Sequence, residues 1–89
     1  MSLEVSNLKL EKSTCKPGEW LMITFTITNT KYGYVIPKYT ITANGSVVKE
    51  DYSKALGFGE SADVADMIQA PTSPGVYSVC VSVSAYYAM

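Results

Sequence analysis

The stretch Leu21-Met22-Ile23-Thr24-Phe25-Thr26-Ile27-Thr28 constrains this chain more than any other. Leu21, Ile23, Phe25 and Ile27 occupy one parity, and Thr24, Thr26 and Thr28 the other. Successive side chains of a strand point to opposite faces, so a period of two describes a strand with one dry face and one wet face. A one-sided strand must bury its apolar face against a second layer. The 89 residues suffice for a single domain of two layers, spanning 1–89.

The rest of the chain reads in the same way. Leu3, Val5, Leu8 and Leu10 are the apolar positions of a first strand, and their parity changes between Val5 and Leu8, which predicts a bulge near Ser6-Asn7. Lys16-Pro17-Gly18-Glu19 has the residues of a type II turn. Trp20 beside it is expected to plug the edge of the core, and Asn29-Thr30-Lys31-Tyr32-Gly33 ends the second strand. A third strand, about Tyr34 to Ala43, is expected to bury Ile36, Tyr39, Ile41 and Ala43, with Pro37 at an edge, a bulge or a strand start. Asn44-Gly45 predicts a type I′ hairpin onto Ser46-Val47-Val48-Lys49, because both residues accept positive φ.

Asp51 to Gly59 is expected to be loop, with a turn at Gly57-Phe58-Gly59-Glu60. Ser61 to Ala70 fits two patterns. As a strand it turns Val64 and Ile68 inward, but Asp66 shares their parity unless a bulge intervenes. As a helix capped by Ser61, it gathers Val64, Met67 and Ile68 on one face. The surrounding turns and strands favour the strand. After Pro71 to Gly75, a last strand from Val76 to about Ser84 alternates Tyr77, Val79, Val81 and Val83 with Ser78, Cys80, Ser82 and Ser84. Short strands separated by Gly/Pro turns predict an all-β, immunoglobulin-like β-sandwich of six to seven antiparallel strands.

Four motifs in order carry a family resemblance. Lys16-Pro17-Gly18-Glu19 leads into the strand ending in Thr28-Asn29-Thr30. The Asn44-Gly45 hairpin follows, then Gly57-Phe58-Gly59-Glu60-Ser61, and Pro74-Gly75-Val76-Tyr77 opens the last strand. Across nearly the whole chain this resembles the CARDB family, the cell-adhesion-related domain found in bacteria. The NPCBM-associated domain of secreted glycosidases has a similar layout. The resemblance implies a seven-stranded sandwich within extracellular, multidomain proteins. The chain departs from the family pattern after Ser84, where Ala85-Tyr86-Tyr87-Ala88-Met89 is too short for a turn and another full strand. An edge lacking its neighbour exposes unpaired N–H and C=O groups. That edge is expected to take a strand from another copy, making a homo-oligomer, or from a neighbouring domain.

Chemistry narrows the function. The chain contains no His, which removes the commonest general base and the commonest metal ligand. No nucleophile elbow, P-loop or dinucleotide fingerprint is present, and Gly57-x-Gly59 reads as a turn. No catalytic, cofactor-binding or metal-binding residue is therefore assigned, and no enzyme activity or cofactor is expected. Glu60, Asp63, Asp66 and Asp51 match no calcium loop and read as solvated acids. Cys15 lies in a turn and Cys80 is off the inward parity, which argues for two peripheral thiols. The net charge of −1 draws the chain to neither nucleic acid nor an anionic membrane, and no apolar run is long enough to span a bilayer.

Met1-Ser2-Leu3-Glu4 enters the first strand without the basic start and apolar stretch of a leader, so the chain reads either as intracellular or as a domain cut from a longer exported chain, and the family resemblance favours the second. Tyr77 is placed as a tyrosine corner, whose hydroxyl bonds upstream backbone. Tyr32, Tyr34, Tyr86 and Tyr87 form the candidate interaction surface, since tyrosine supplies rigid contact area with a polar tip. Asn44-Gly45-Ser46 is an N-x-S acceptor on a hairpin tip, which makes Asn44 a candidate glycosylation site, although the turn alone is sufficient reason for Asn-Gly.

The expected function is thus a non-catalytic module of an exported or cell-surface protein, serving adhesion, protein–protein contact or spacing. One alternative is a carbohydrate-associated accessory domain of a secreted glycoside hydrolase, with polysaccharide as partner. The other is a free-standing small intracellular binding subunit.

Overall fold

Two antiparallel sheets face each other in the computed structural model, which describes Leu3–Met89. Met1 and Ser2, where the reading of the chain start begins, lie outside the described residues. The strands are β1 (Leu3–Leu10), β2 (Trp20–Asn29), β3 (Tyr34–Ala43), β4 (Ser46–Tyr52), β5 (Leu56–Gly57), β6 (Ser61–Gln69) and β7 (Val79–Ala88). One sheet runs β1-β2-β6; in the other, β4 and β5 pair with one side of β3 and β7 with the opposite side. This is the ABE and C′CF order of an immunoglobulin-like sandwich. The central strands β2 and β3 meet face to face through Phe25 and Tyr39, β1 lies over β7, and β6 lies over β4.

Alternation decides the interior. Leu21, Ile23, Phe25 and Ile27 of β2 are buried, whereas the threonines between them are half-exposed. The same parity continues to Asn29, which is fully buried. Trp20 has the threonine parity, so it points outward, 57% exposed and opposite Gln69, and does not plug the core. The predicted turns form, and so does the bulge near Ser6-Asn7. Gly18 has φ 76° and Glu19 N–H donates to Lys16 O, while Asn7 at φ 55° occupies the one-residue slip of β1 against β2. Asn44 at 49° and Gly45 at 84° close the hairpin.

β3 corrects the sequence reading. Its buried residues are Val35, Pro37, Tyr39, Ile41 and Ala43, and Ile36 faces outward. Counting inward positions back from Ala43 in steps of two reaches Pro37, not Ile36. A proline in a central strand is tolerated because Pro37 sits at the break between two partners. β4 ends opposite Lys38, β5 begins opposite Val35, and β7 bulges at Tyr86 on the other side. Its carbonyl still accepts from Ser53 N–H (3.0 Å), so the missing N–H forfeits only the return bond to Ser53, at the end of the β3–β4 ladder.

The segment expected to be loop from Asp51 onward instead extends β4 to Tyr52 and contributes β5. Ser61–Gln69 is a strand in unbroken register with β2, so no bulge removes Asp66 from the inner parity. The last strand starts later than expected, at Val79, and runs through the tail to Ala88 instead of stopping near Ser84.

Asn29 ties the two sheets together at one end. Its Nδ2 donates to Tyr32 O (2.8 Å) and to the Gly57 and Leu56 carbonyls (3.1 and 3.4 Å). Its Oδ1 accepts from the N–H groups of Lys31 and Tyr32 (3.1 and 2.9 Å). Its backbone bonds Glu60 O and Gly59 N–H. One buried amide thus organises both the β2–β3 turn and the β5–β6 turn. Replacing it leaves several buried backbone groups without partners, each costing about 1–3 kcal/mol. We expect Asn29→Ala to lower stability by roughly 3 kcal/mol or more, read as a shift in the urea midpoint without change in slope.

Candidate functional site

A sandwich of two open sheets has two lateral seams, and here they differ chemically. Along the β4/β6 seam, Tyr39 reaches outward from the core and donates its hydroxyl to Asp66 Oδ2 (2.6 Å). Lys49 Nζ lies 3.6 Å from Asp66 Oδ1, and Asp51 stands across from Tyr39. Inward-pointing charges of this kind keep a sheet edge from recruiting other strands. Burial, followed by the bond to Asp66 and the charges of Asp66 and Asp51, holds the Tyr39 phenol above its ordinary value.

The other seam is apolar. β7 brings Val79, Val81 and Val83 to it, and β1 brings Leu3, Val5, Leu8 and Leu10; the three valines are only half-buried. A hollow of about 340 Å³ opens between Leu8, Leu10 and Val79. The outer edge of β7 has no strand partner among the described residues.

The outer face of the β4-β3-β7 sheet gathers tyrosines. Tyr34 meets Tyr87 edge to face with ring centroids 6.2 Å apart, and Tyr52 meets Tyr86 in the same way at 4.8 Å. They occupy neighbouring rungs, with Tyr87 opposite Ile36 and Tyr52 opposite Lys38. Tyr86, Tyr52 and Tyr87 are about half exposed or more. The structure therefore assembles three of the four tyrosines singled out in the sequence. Tyr32 is not among them: it is half-buried against the core, with Lys31 Nζ 5.2 Å from its ring centroid. Tyr52 joins in its place. Sequence alone marks Tyr52 as hard to bury but leaves it outside the candidate surface, since Asp51 and its successors read as loop, where parity assigns no face.

Other singled-out residues separate. Asp63 is on the outer face of β6, where Thr26 Oγ1 donates to it (2.8 Å), and Asp66 is on the inner face. Cys15 and Cys80 are both exposed and free. Tyr77 donates its hydroxyl to Ser73 O (2.6 Å), which is a tyrosine-corner bond to upstream backbone. Asn44 does more than form a turn: its Oδ1 accepts from Ser78 N–H (2.7 Å) and its Nδ2 donates to Val76 O (3.4 Å). The candidate acceptor nitrogen for a glycan thus also holds the chain entering β7. A cleft of about 340 Å³ at this end of the sandwich has walls such as Leu21, Ile68 and Val79, and Lys12 at its rim is already paired with Glu19. No helix among the described residues is long and apolar enough to cross a membrane. Comparison with known protein families, curated proteins and solved structures finds no match for the chain.

Two predictions follow from these contacts. Because folding favours the protonated phenol of Tyr39, the unfolded chain binds fewer protons once pH passes its ordinary value near 10, and stability falls as pH rises further. Urea unfolding should show a steeper alkaline loss in the wild type than in Tyr39→Phe. Asn44→Gly keeps the positive-φ turn but removes the side-chain bonds to Ser78 and Val76. It should cost about 1 kcal/mol, with faster amide exchange at Ser78.

Proposed function

We propose that this chain is a non-catalytic, immunoglobulin-like module of an exported or cell-surface protein, and that it contacts partners through Tyr34, Tyr52, Tyr86 and Tyr87. The observation that carries this reading is the gathering of four tyrosines from three strands on one outer sheet face. Aromatic residues are enriched at protein interfaces because they add large, rigid area at small entropic cost. The absence of catalysis rests on chemistry: the chain has no His, and its hydrogen-bonded hydroxyls, such as Thr26 with Asp63 and Thr28 with Ser61, lie on exposed sheet faces. The resemblance to CARDB domains supports the extracellular setting, as do the Thr- and Ser-rich outer faces.

Ring geometry favours protein over polysaccharide. A sugar-binding shelf presents coplanar rings for stacking, whereas these pairs are inclined at 76° and 65°. Edge-to-face pairs present a contoured surface, with hydroxyls and ring edges mixed, which suits a protein partner.

The test is binding by the purified domain to immobilised cellulose, chitin and xylan, and to a panel of purified extracellular proteins. Protein binding that falls at least tenfold in Tyr52→Ser/Tyr86→Ser, with no change in melting temperature, is the expected result. Retention on a polysaccharide that disappears in Tyr34→Ala/Tyr87→Ala would transfer the domain to the hydrolase-accessory reading. Protein binding indifferent to the double substitution would remove the tyrosine face from the argument.

A further inference from the structure

The four sheet edges are not equally protected. β1 carries Glu4, Lys9 and the Asn7 bulge. β4 carries Lys49, Glu50 and Asp51, with a slip at Val48. β6 carries Asp63 and Asp66. Charges, bulges and inward-pointing acids are the devices that prevent edge-to-edge pairing. β7 reads Val-Cys-Val-Ser-Val-Ser-Ala-Tyr-Tyr-Ala, with no charge and no proline, and its single irregularity is at Tyr86, beyond the valines.

The hydrogen-bond phase of β7 follows from its ends. Asn44 N–H donates to Ser78 O (2.9 Å) at one end of the β3–β7 ladder, and Tyr34 and Met89 exchange two N–H···O bonds at the other (3.3 and 2.9 Å). In an antiparallel ladder, bonded and non-bonded pairs alternate. Counting from Ser78, Cys80, Ser82 and Ser84 bond β3, while Val79, Val81 and Val83 direct their N–H and C=O groups at the open edge. The same valines turn their side chains into the apolar seam. Both the hydrogen-bonding capacity and the unfilled hydrophobic surface lie on one run of the chain.

We propose that this edge is a self-association surface, on which a second copy of the chain pairs its β7 antiparallel to this one about a two-fold axis. The outward groups of one β7 meet only the outward groups of the other, so valine faces valine or alanine in the interior, and Cys80, Ser82 and Ser84 line up on the outside. An edge without charge meets its own copy without like-charge repulsion, the condition that most often forbids isologous strand pairing. The ten residues of β7 extend about 34 Å, and across a body 19 Å thick that gives a face of roughly 650 Å² per copy, near the roughly 800 Å² per partner of a standard-size interface. Leu8 and Leu10, which with Lys12, Ser13 and Val79 line the hollow beside the join, lose further exposure there. The tyrosine face lies on the outer side of the same sheet, so self-association and tyrosine-mediated binding are separate properties.

Sedimentation equilibrium from low micromolar to several hundred micromolar protein tests the proposal. The wild type should move from the 9.7 kDa protomer to twice that mass, and amide exchange at Val81 and Val83 should slow as the dimer fills. Ser82→Lys alters only the exposed outer face of β7 and should weaken association at least tenfold. Val81→Pro removes an outward N–H while leaving every bond to β3, and should abolish it. Circular dichroism and melting of both variants report whether each is folded, and Ser82→Lys keeps the test valid if Val81→Pro is not. A wild type that stays monomeric throughout the range, or a dimer unaffected by Ser82→Lys, would overturn the proposal. The first of these outcomes would leave the edge to a strand from a different protein.

Discussion

At the centre of the sandwich, the ring of Phe25 meets the ring of Tyr39 nearly at right angles, with centroids 5.2 Å apart. This is where the two middle strands touch, and much of the molecule's asymmetry follows from it. A buried tyrosine ring is stable only if its hydroxyl finds a partner. Tyr39 finds Asp66, which requires an acid on the inner parity of β6, and Lys49 then stands beside that acid. One seam of the sandwich is thereby committed to polar groups. Nothing on the opposite side makes the same demand, and there the inward positions of β1 and β7 remain aliphatic.

Asn29 plays the corresponding part at the end of the sheets. A buried side-chain amide offers two donors and two acceptor sites, and here its oxygen and its amide group are both bonded to backbone. The fixed β2–β3 turn determines where β3 begins and which rung Tyr34 occupies, and hence that Tyr34 can meet Tyr87. The tyrosine face thus depends on a side chain that is not part of it.

The legible parts of this fold were those where local chemistry and long-range packing agree. Alternation in β2 and β7 identified the inward residues, and the Asn44-Gly45 and Pro17-Gly18 turns have backbone requirements that few other residues satisfy. Misreadings arose where packing overrides local preference. Ile36 is the more apolar residue, but Pro37 takes the inward position because it lies at the end of the β3–β4 ladder, where its missing N–H forfeits a single bond. Trp20 looks like core by size and is placed outside by parity alone. Asn29 read as the end of a strand because asparagine favours turns, although it continues the buried series from Leu21, and that parity was the available signal. Of the tyrosine cluster, the sequence singled out Tyr34, Tyr86 and Tyr87 but not how they pair with each other and with Tyr52, because the rungs are set by the register of β3 with both β4 and β7.

The distribution of burial shows why the apolar seam matters beyond recognition. Nearly all fully buried side chains come from β2 and β3, with Leu56, Ala62 and Ile68 completing the set, while the valines of β7 remain half-exposed. A small domain of this kind has one sheltered column of strands and two flanking columns that water reaches. The polar flank is finished as it stands, since its charges are paired in water. The aliphatic flank gains free energy from any strand that covers it, at roughly 25 cal/mol for each Å² of apolar surface removed from water. Whatever binds there also completes the core, so occupancy of that seam and resistance to unfolding are thermodynamically linked, and each reports on the other.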